Sequence, residues 1–106
     1  MKVSIIGAGH VGLVTGACLS ELGNDVLCID SDLQKLGSLQ AGHVPFFEPE
    51  LSELLKAHNG RNLHFGATVR EAAHWSEIIF ICAGTPPKDD GSADLSAIDD
   101  ICKSIA

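Results

Sequence analysis

Tyrosine is absent from this 106-residue chain, tryptophan occurs once, and aromatic residues make up only 5% of it. Whatever packs inside must therefore be aliphatic. Basic residues are also scarce: seven Lys and Arg stand against 14 Asp and Glu, a formal net charge of −7. With no basic stripe to displace phosphate counterions, no nucleic-acid partner is expected. Long apolar runs are missing too. The longest covers six residues, Ile78 to Ala83, whereas a membrane-spanning helix needs roughly 20. The five histidines (His10, His43, His58, His64, His74) show no i,i+4 pairing and no nearby Cys-x-x-Cys, so no metal site is expected. The four cysteines, Cys18, Cys28, Cys82 and Cys102, lie far apart in apolar stretches. They read as buried free thiols of a reducing compartment rather than as a disulfide frame.

What is present is a globular composition, 45% hydrophobic and 20% charged, of a size that makes one domain. Lys2 and the apolar residues after it superficially resemble a secretory signal, but Gly7, Gly9, His10 and Gly12 interrupt the would-be apolar core. A cytoplasmic chain is expected.

Short apolar runs alternate with helical patterns, the signature of a parallel α/β sheet. Val3 to Ile6 reads as a first strand. Val11, Val14, Cys18 and Leu22 follow at helical spacing, and Gly23 stops that helix. Val26 to Ile29 reads as a second strand, with Asp30 at its carboxyl end. A helix from Ser31 to Ala41 carries Leu33 and Leu36 and is closed by Gly42. Pro49 sits where a first helical residue would be, ahead of a stripe of Leu51, Leu54 and Leu55 that ends at Gly60. Phe46 and Phe47 read as a hydrophobic staple for that helix, and Glu48 as a complement to its dipole. Asn62 to Phe65 is a short strand, Thr68 to Glu71 fits a capping box opening a helix to about Trp75, and Ile78 to Cys82 should be a fully buried central strand. A glycine- and proline-rich loop runs from Gly84 to Ala93, and Asp94 caps a last helix bearing Ile98, Ile101 and Ile105. The expected fold is a Rossmann-type, doubly wound parallel sheet of about four strands with flanking helices. Six strands are usual, and the helical pattern stops at Ala106 without a stop signal, so residues 1–106 are expected to be an incomplete domain of something larger.

Gly7-Ala8-Gly9-His10-Val11-Gly12 is a G-x-G-x-x-G, weak alone but strong here because it follows a strand, opens a helix, and precedes Asp30 at the end of the next strand. Gly7 permits the tight turn, Gly9 lets the backbone approach a pyrophosphate, and Gly12 lets helix and sheet pack closely. The phosphates would sit at the helix N-terminus. Asp30 would accept from the adenosine ribose and repel a 2′-phosphate, favouring NAD over NADP. Lys35 reads, on spacing alone, as a solvated surface lysine. Gly84 and Thr85 lie at the carboxyl edge of the sheet, where ligands of such folds bind, yet an ordinary Gly/Pro turn would explain them equally. Cys28 and Cys82 fall on core strands and read as inert packing.

These residues, with Leu13 to Leu19, Pro45-Phe46-Phe47-Glu48-Pro49, Gly84-Thr85-Pro86 and Asp90 to Leu95, resemble the N-terminal NAD-binding part of the UDP-glucose/GDP-mannose dehydrogenase family, most closely its bacterial UDP-glucose-oxidising members. The resemblance runs from Met1 to Ala106. It implies oxidation of the C6 hydroxyl of a nucleotide sugar to a carboxylate by two NAD-dependent hydride transfers, through a thiohemiacetal and thioester on an enzyme cysteine. It implies NAD contacts from Gly7, Gly9, His10, Val11, Gly12, Asp30, Lys35, Ala83, Gly84 and Thr85, which reverses the spacing-only reading of Lys35. Thr85 would also help to order the active-site water. His10 stands where the family usually has tyrosine, and Glu50 where it usually has glycine. The family's nucleophilic cysteine sits in a glycine-rich segment that none of the four cysteines here matches, so no principal catalytic residue is expected within these residues. The implied partners are UDP-glucose as substrate and a second copy of the full-length chain. A fragment acting on GDP-mannose or a UDP-N-acetyl sugar, a stand-alone NAD-binding or sensing module, and a methyltransferase are the alternatives; the last fits the helix-opening glycines less well.

Overall fold

The computed structural model describes residues 1–44, 48, 50–82 and 96–105. The order is β1 (Lys2–Ile6), α1 (His10–Glu21), β2 (Asp25–Ile29), α2 (Leu33–Gln40), α3 (Leu51–His58), β3 (Leu63–Gly66), α4 (Val69–Trp75), β4 (Ile78–Ile81) and α5 (Ser96–Ile105). All strand pairings are parallel, in the order β3-β2-β1-β4. The chain steps from β1 through β2 to β3 on one side, then returns to place β4 on the other side of β1. That reversal puts a topological switch point between β1 and β4, the place where such sheets open a crevice at their carboxyl ends.

Two apolar layers hold the helices on opposite faces of the sheet. Val3, Ile5, Val26, Cys28 and Leu63 face Leu13 and Ala17 of α1, Leu39 of α2, and Leu51 and Leu55 of α3. Ile6, Leu27 and Ile29 face the other way, against Ala72 of α4, with Val69, Trp75 and Ile101 packed at the margin. The alternation along β1 and β2 is the two-residue period of a strand covered on both faces. No helix among the described residues is long and apolar enough to cross a membrane.

The buried face of α1 differs from the one its bulky apolar residues suggest. Gly12, Leu13, Gly16, Ala17 and Ser20 are buried, while Val11 and Leu22 are 69% and 78% exposed. Close packing explains the difference: a Cβ on Gly12 would lie 1.9 Å from the Gly7 carbonyl oxygen, and one on Gly16 would lie 2.8 Å from Cys28 Sγ. The helix presses Gly12, Gly16, Ala17 and Leu13 onto the sheet and turns Val11 and Leu22 aside.

Helix ends follow the sequence signals more closely. Gly23 (φ 96°) donates to Ser20 and Asn24 to Leu19; Gly42 (φ 89°) donates to Leu39 and His43 to Ser38. Both are Schellman motifs, which satisfy the last carbonyls of a helix. In α2 the buried pair is Leu36 and Leu39, and Leu33 is exposed. Thr68 and Glu71 form the expected capping box. Beyond these, Asn62 donates to the Ser20 and Asn24 carbonyls and pairs with His58, whose Nε2 lies 2.6 Å from Glu21 Oε2. This network ties the C-terminal ends of α1 and α3 together.

Three expectations are corrected. β4 lies on the sheet edge rather than in the centre, with Ile78 and Phe80 40% and 43% exposed, because only β1 flanks it among the described residues. Of the cysteines, all free, only Cys28 is buried; Cys82 is half-buried, and Cys18 and Cys102 are exposed, lying on outer helix surfaces. The third helix begins at Leu51 with Glu50 as its N-cap, so Pro49 precedes the cap; Pro45 to Phe47, Pro49, the expected Gly84 to Ala93 loop, the expected Asp94 cap and the Ile98 side chain lie outside the described residues.

Glu50 is left-handed (φ 68°), alone among the described non-glycine residues. A side chain costs roughly 1–2 kcal/mol in that conformation, whereas glycine adopts it freely. Glu50→Gly is expected to stabilise the fold by about 1 kcal/mol, read as a higher Tm in thermal denaturation followed by circular dichroism.

Candidate functional site

A cleft of about 460 Å³ opens at the carboxyl ends of the strands, within the usual range for small-molecule sites. Ile6, Gly7 and Gly9 line it from β1 and the following turn, and Ile29, Asp30, Ser31 and Lys35 from the end of β2 and α2. Ala67 and Val69 contribute from the start of α4, with Cys82, Asp100 and Ile101. It therefore spans the switch point, with the α1 N-terminus to one side and the first turns of α4 and α5 to the other.

The glycine turn is shaped by contacts that leave no room for side chains. Gly7 (φ 106°) donates to the Ile29 carbonyl at 2.7 Å, which stitches the end of β1 to the end of β2. Gly12 packs directly beneath its carbonyl. Gly9, by contrast, has nothing within 4 Å of where a Cβ would be. It is the N-cap of α1, with no side-chain cap and no acidic residue in the first turn. The positive end of the helix dipole is thus presented over an open backbone, an arrangement suited to an anion.

Asp30 is the polar centre of the cleft. Its Oδ2 accepts from the Ala8 N–H at 3.0 Å and lies 3.2 Å from Lys35 Nζ, while Oδ1 accepts from the Asp32 N–H at 2.9 Å. Burial pushes the carboxyl up, but the Asp32 and Ala8 N–H groups and the Lys35 ammonium together outweigh it and hold Asp30 below the usual carboxylate range. A carboxylate offers about four acceptor sites, and these contacts occupy three, leaving capacity at Oδ1 for a hydroxyl donor. Asp32 in turn caps α2 through Oδ1.

Gly7, Gly9 and Asp30 are thus brought together as the spacing implies, and Lys35 joins them in the cleft as only the resemblance implies. His10 and Val11 begin α1 just beyond the cleft lining. His10 Nε2 lies 2.9 Å from Glu48 Oε2, so Glu48 pairs with α1 rather than merely complementing a dipole. Ala83, Gly84 and Thr85 lie outside the described residues, although Cys82 immediately before them lines the cleft. The α4 and α5 wall went unread: Ala67, Val69, Asp100 and Ile101 carry no motif, and only the switch-point rule pointed to that region. The Cys28 thiol, buried and beside Cys82, is pushed up to about 12, and burial also raises Cys82. Neither is poised as a thiolate.

The second and third glycines of the turn should separate folding from binding. Gly12→Ala is expected to destabilise the fold by about 3 kcal/mol or more, through collision with the Gly7 carbonyl. Gly9→Ala should cost less than about 1 kcal/mol yet weaken dinucleotide binding; urea denaturation and calorimetric titration of both variants read the split. Asp30 supplies a pH signature. Its folded pKa is lowered, so the folded chain holds fewer protons than the unfolded one across that window. The stabilisation is full above the ordinary carboxylate range and lost as pH falls through the folded value. Chemical denaturation across acidic pH should show this slope, and Asp30→Asn should flatten it.

The whole chain, residues 1–106, matches the family described as the UDP-glucose/GDP-mannose dehydrogenase family, NAD binding domain. A UDP-glucose 6-dehydrogenase of Bacillus subtilis (strain 168) is 45% identical over 108 residues, covering 100% of this chain and 24% of that protein. In structure, the GDP-mannose dehydrogenase of Pseudomonas aeruginosa, solved as a ternary complex, superposes with a TM-score of 0.91 at 37% identity, covering 99% of this chain and 24% of the other. A UDP-glucose dehydrogenase from the archaeon Pyrobaculum islandicum gives a TM-score of 0.91 at 33% identity, covering 98% and 24%. The chain spans about a quarter of the length of these relatives. With a switch-point cleft, an open glycine turn and an acidic residue closing the second strand, it belongs to the UDP-glucose/GDP-mannose dehydrogenase family, as an NAD-binding domain of Rossmann type.

Proposed function

We propose that these residues form the cofactor-holding part of a dehydrogenase that converts UDP-glucose, two NAD and water to UDP-glucuronate and two NADH. The observation that carries this reading is Asp30. Its carboxylate is fixed by the Ala8 N–H at the mouth of the glycine turn, so the two halves of a dinucleotide recognition site share one hydrogen bond.

The residues fit NAD on their own geometry. The space over Gly9 admits a pyrophosphate against the α1 N-terminus, where the Val11 and Gly12 N–H groups begin the helix. Asp30 Oδ1 would accept from the adenosine ribose, and Lys35 holds Asp30 Oδ2 in place. His10, held against Glu48, would flank the phosphates; Ala83, Gly84 and Thr85, outside the described residues, are proposed as further NAD contacts, with Thr85 auxiliary to water ordering. When bound, NAD supplies the hydride acceptor. None of the four cysteines suits the role of the nucleophile in the resembling enzymes: Cys28 is buried and its thiol pushed up to about 12, burial also raises the Cys82 thiol, and Cys18 and Cys102 sit on outer helix surfaces. These residues thus bind cofactor and leave turnover to polypeptide outside them.

Calorimetric titration of the 106-residue chain is expected to show NAD binding at least about tenfold tighter than NADP, about 1.4 kcal/mol, from repulsion between Asp30 and a 2′-phosphate. Equal affinities would overturn the assignment of Asp30. Incubation with UDP-glucose and NAD should yield no NADH; measurable formation would place catalytic residues within these 106 positions.

A further inference from the structure

The cleft has a wall that the ribose and phosphate contacts do not use. On the face of the sheet opposite α1, Ala67 and Val69 from the start of α4 and Ile101 from α5 line an apolar slot beside Asp30. One charged side chain joins them, Asp100, which stands one residue before Ile101 and is exposed at the rim. With the adenosine ribose anchored at Asp30 and the phosphates at Gly9, the remaining part of the adenosine half is the base, and an apolar slot suits the faces of a purine. A carboxylate at its edge can only accept hydrogen bonds.

We infer that Asp100 is a specificity-determining residue that reads the base: its carboxylate accepts from the exocyclic 6-amino group of adenine and rejects a 6-oxo purine. This rests on the reading of the cleft as an NAD site. Adenine presents an amine donor at C6, whereas a 6-oxo purine presents a carbonyl acceptor there. Two acceptors facing each other cannot share a proton, and one of them is charged. Because Asp100 is at the rim rather than deeply buried, water moderates the penalty, and discrimination of about tenfold is expected rather than the far larger values of closed sites. The negative charge also adds to that of Asp30 against a phosphate on the ribose.

The test compares NAD with nicotinamide hypoxanthine dinucleotide, which differs from it by an oxo group in place of the amine. Calorimetric titration of the 106-residue chain is expected to give about tenfold tighter binding of NAD. In Asp100→Asn, whose amide can donate to the oxo group, the two affinities should come within about threefold. Asp30→Asn should change the NAD-to-NADP ratio while leaving the base preference in place. Equal binding of the two dinucleotides by the unaltered chain overturns the inference but leaves the NAD reading standing. A base preference that survives in Asp100→Asn removes Asp100 from that role. Failure of both dinucleotides to bind overturns the NAD reading and the inference with it.

Discussion

The contact between Gly12 and the Gly7 carbonyl is the constraint on which the rest of the site depends. Helix α1 sits so low on β1 that a single added carbon would lie inside that oxygen's van der Waals surface. The closeness seats the first turn of α1 against the end of β1, beside the cleft that Gly7 and Gly9 line. From it follow the small-residue face of the helix, the tight seat of Gly16 against Cys28, and the outward position of Val11. A helix with ordinary side chains at these places would ride higher on the sheet, and its dipole would point over the cleft rather than into it.

Asp30 converts that geometry into a recognition element. One carboxylate joins two segments through three contacts: the glycine turn through Ala8, and the start of α2 through Asp32 and Lys35. The charge stays ionised in a partly buried place because directed N–H groups and one ammonium outweigh the cost of losing water. The same carboxylate thereby organises the mouth of the cleft and retains an acceptor site for a hydroxyl donor. Rigidity and selectivity have a common origin here.

Several elements were legible in advance because their signals are local. The capping box at Thr68, the terminating glycines 23 and 42, and the strand, turn and helix around the G-x-G-x-x-G depend on a few neighbouring residues and on backbone conformations that few residue types allow. The burial of α1 was not legible, since hydrophobic spacing favours Val11, Val14, Cys18 and Leu22, while packing distance selects the glycines and alanine instead. β4 misled for a related reason. Ile78 to Cys82 is as apolar as an interior strand, but its exposure depends on which strands flank it, and apolarity does not encode neighbours.

By itself the sequence determined the parallel α/β class, the glycine turn, and Asp30 as its acidic partner, because each rests on short-range stereochemistry and on spacings that a single βαβ unit enforces. Tertiary structure alone decided that Lys35 reaches Asp30 rather than solvent, that His10 meets Glu48 across 38 residues of chain, and that Asp100 and Ile101 share a cleft with Gly9. The last of these is made by the reversal of strand order at β1 and β4, which brings α5 to the cleft that Gly9 lines.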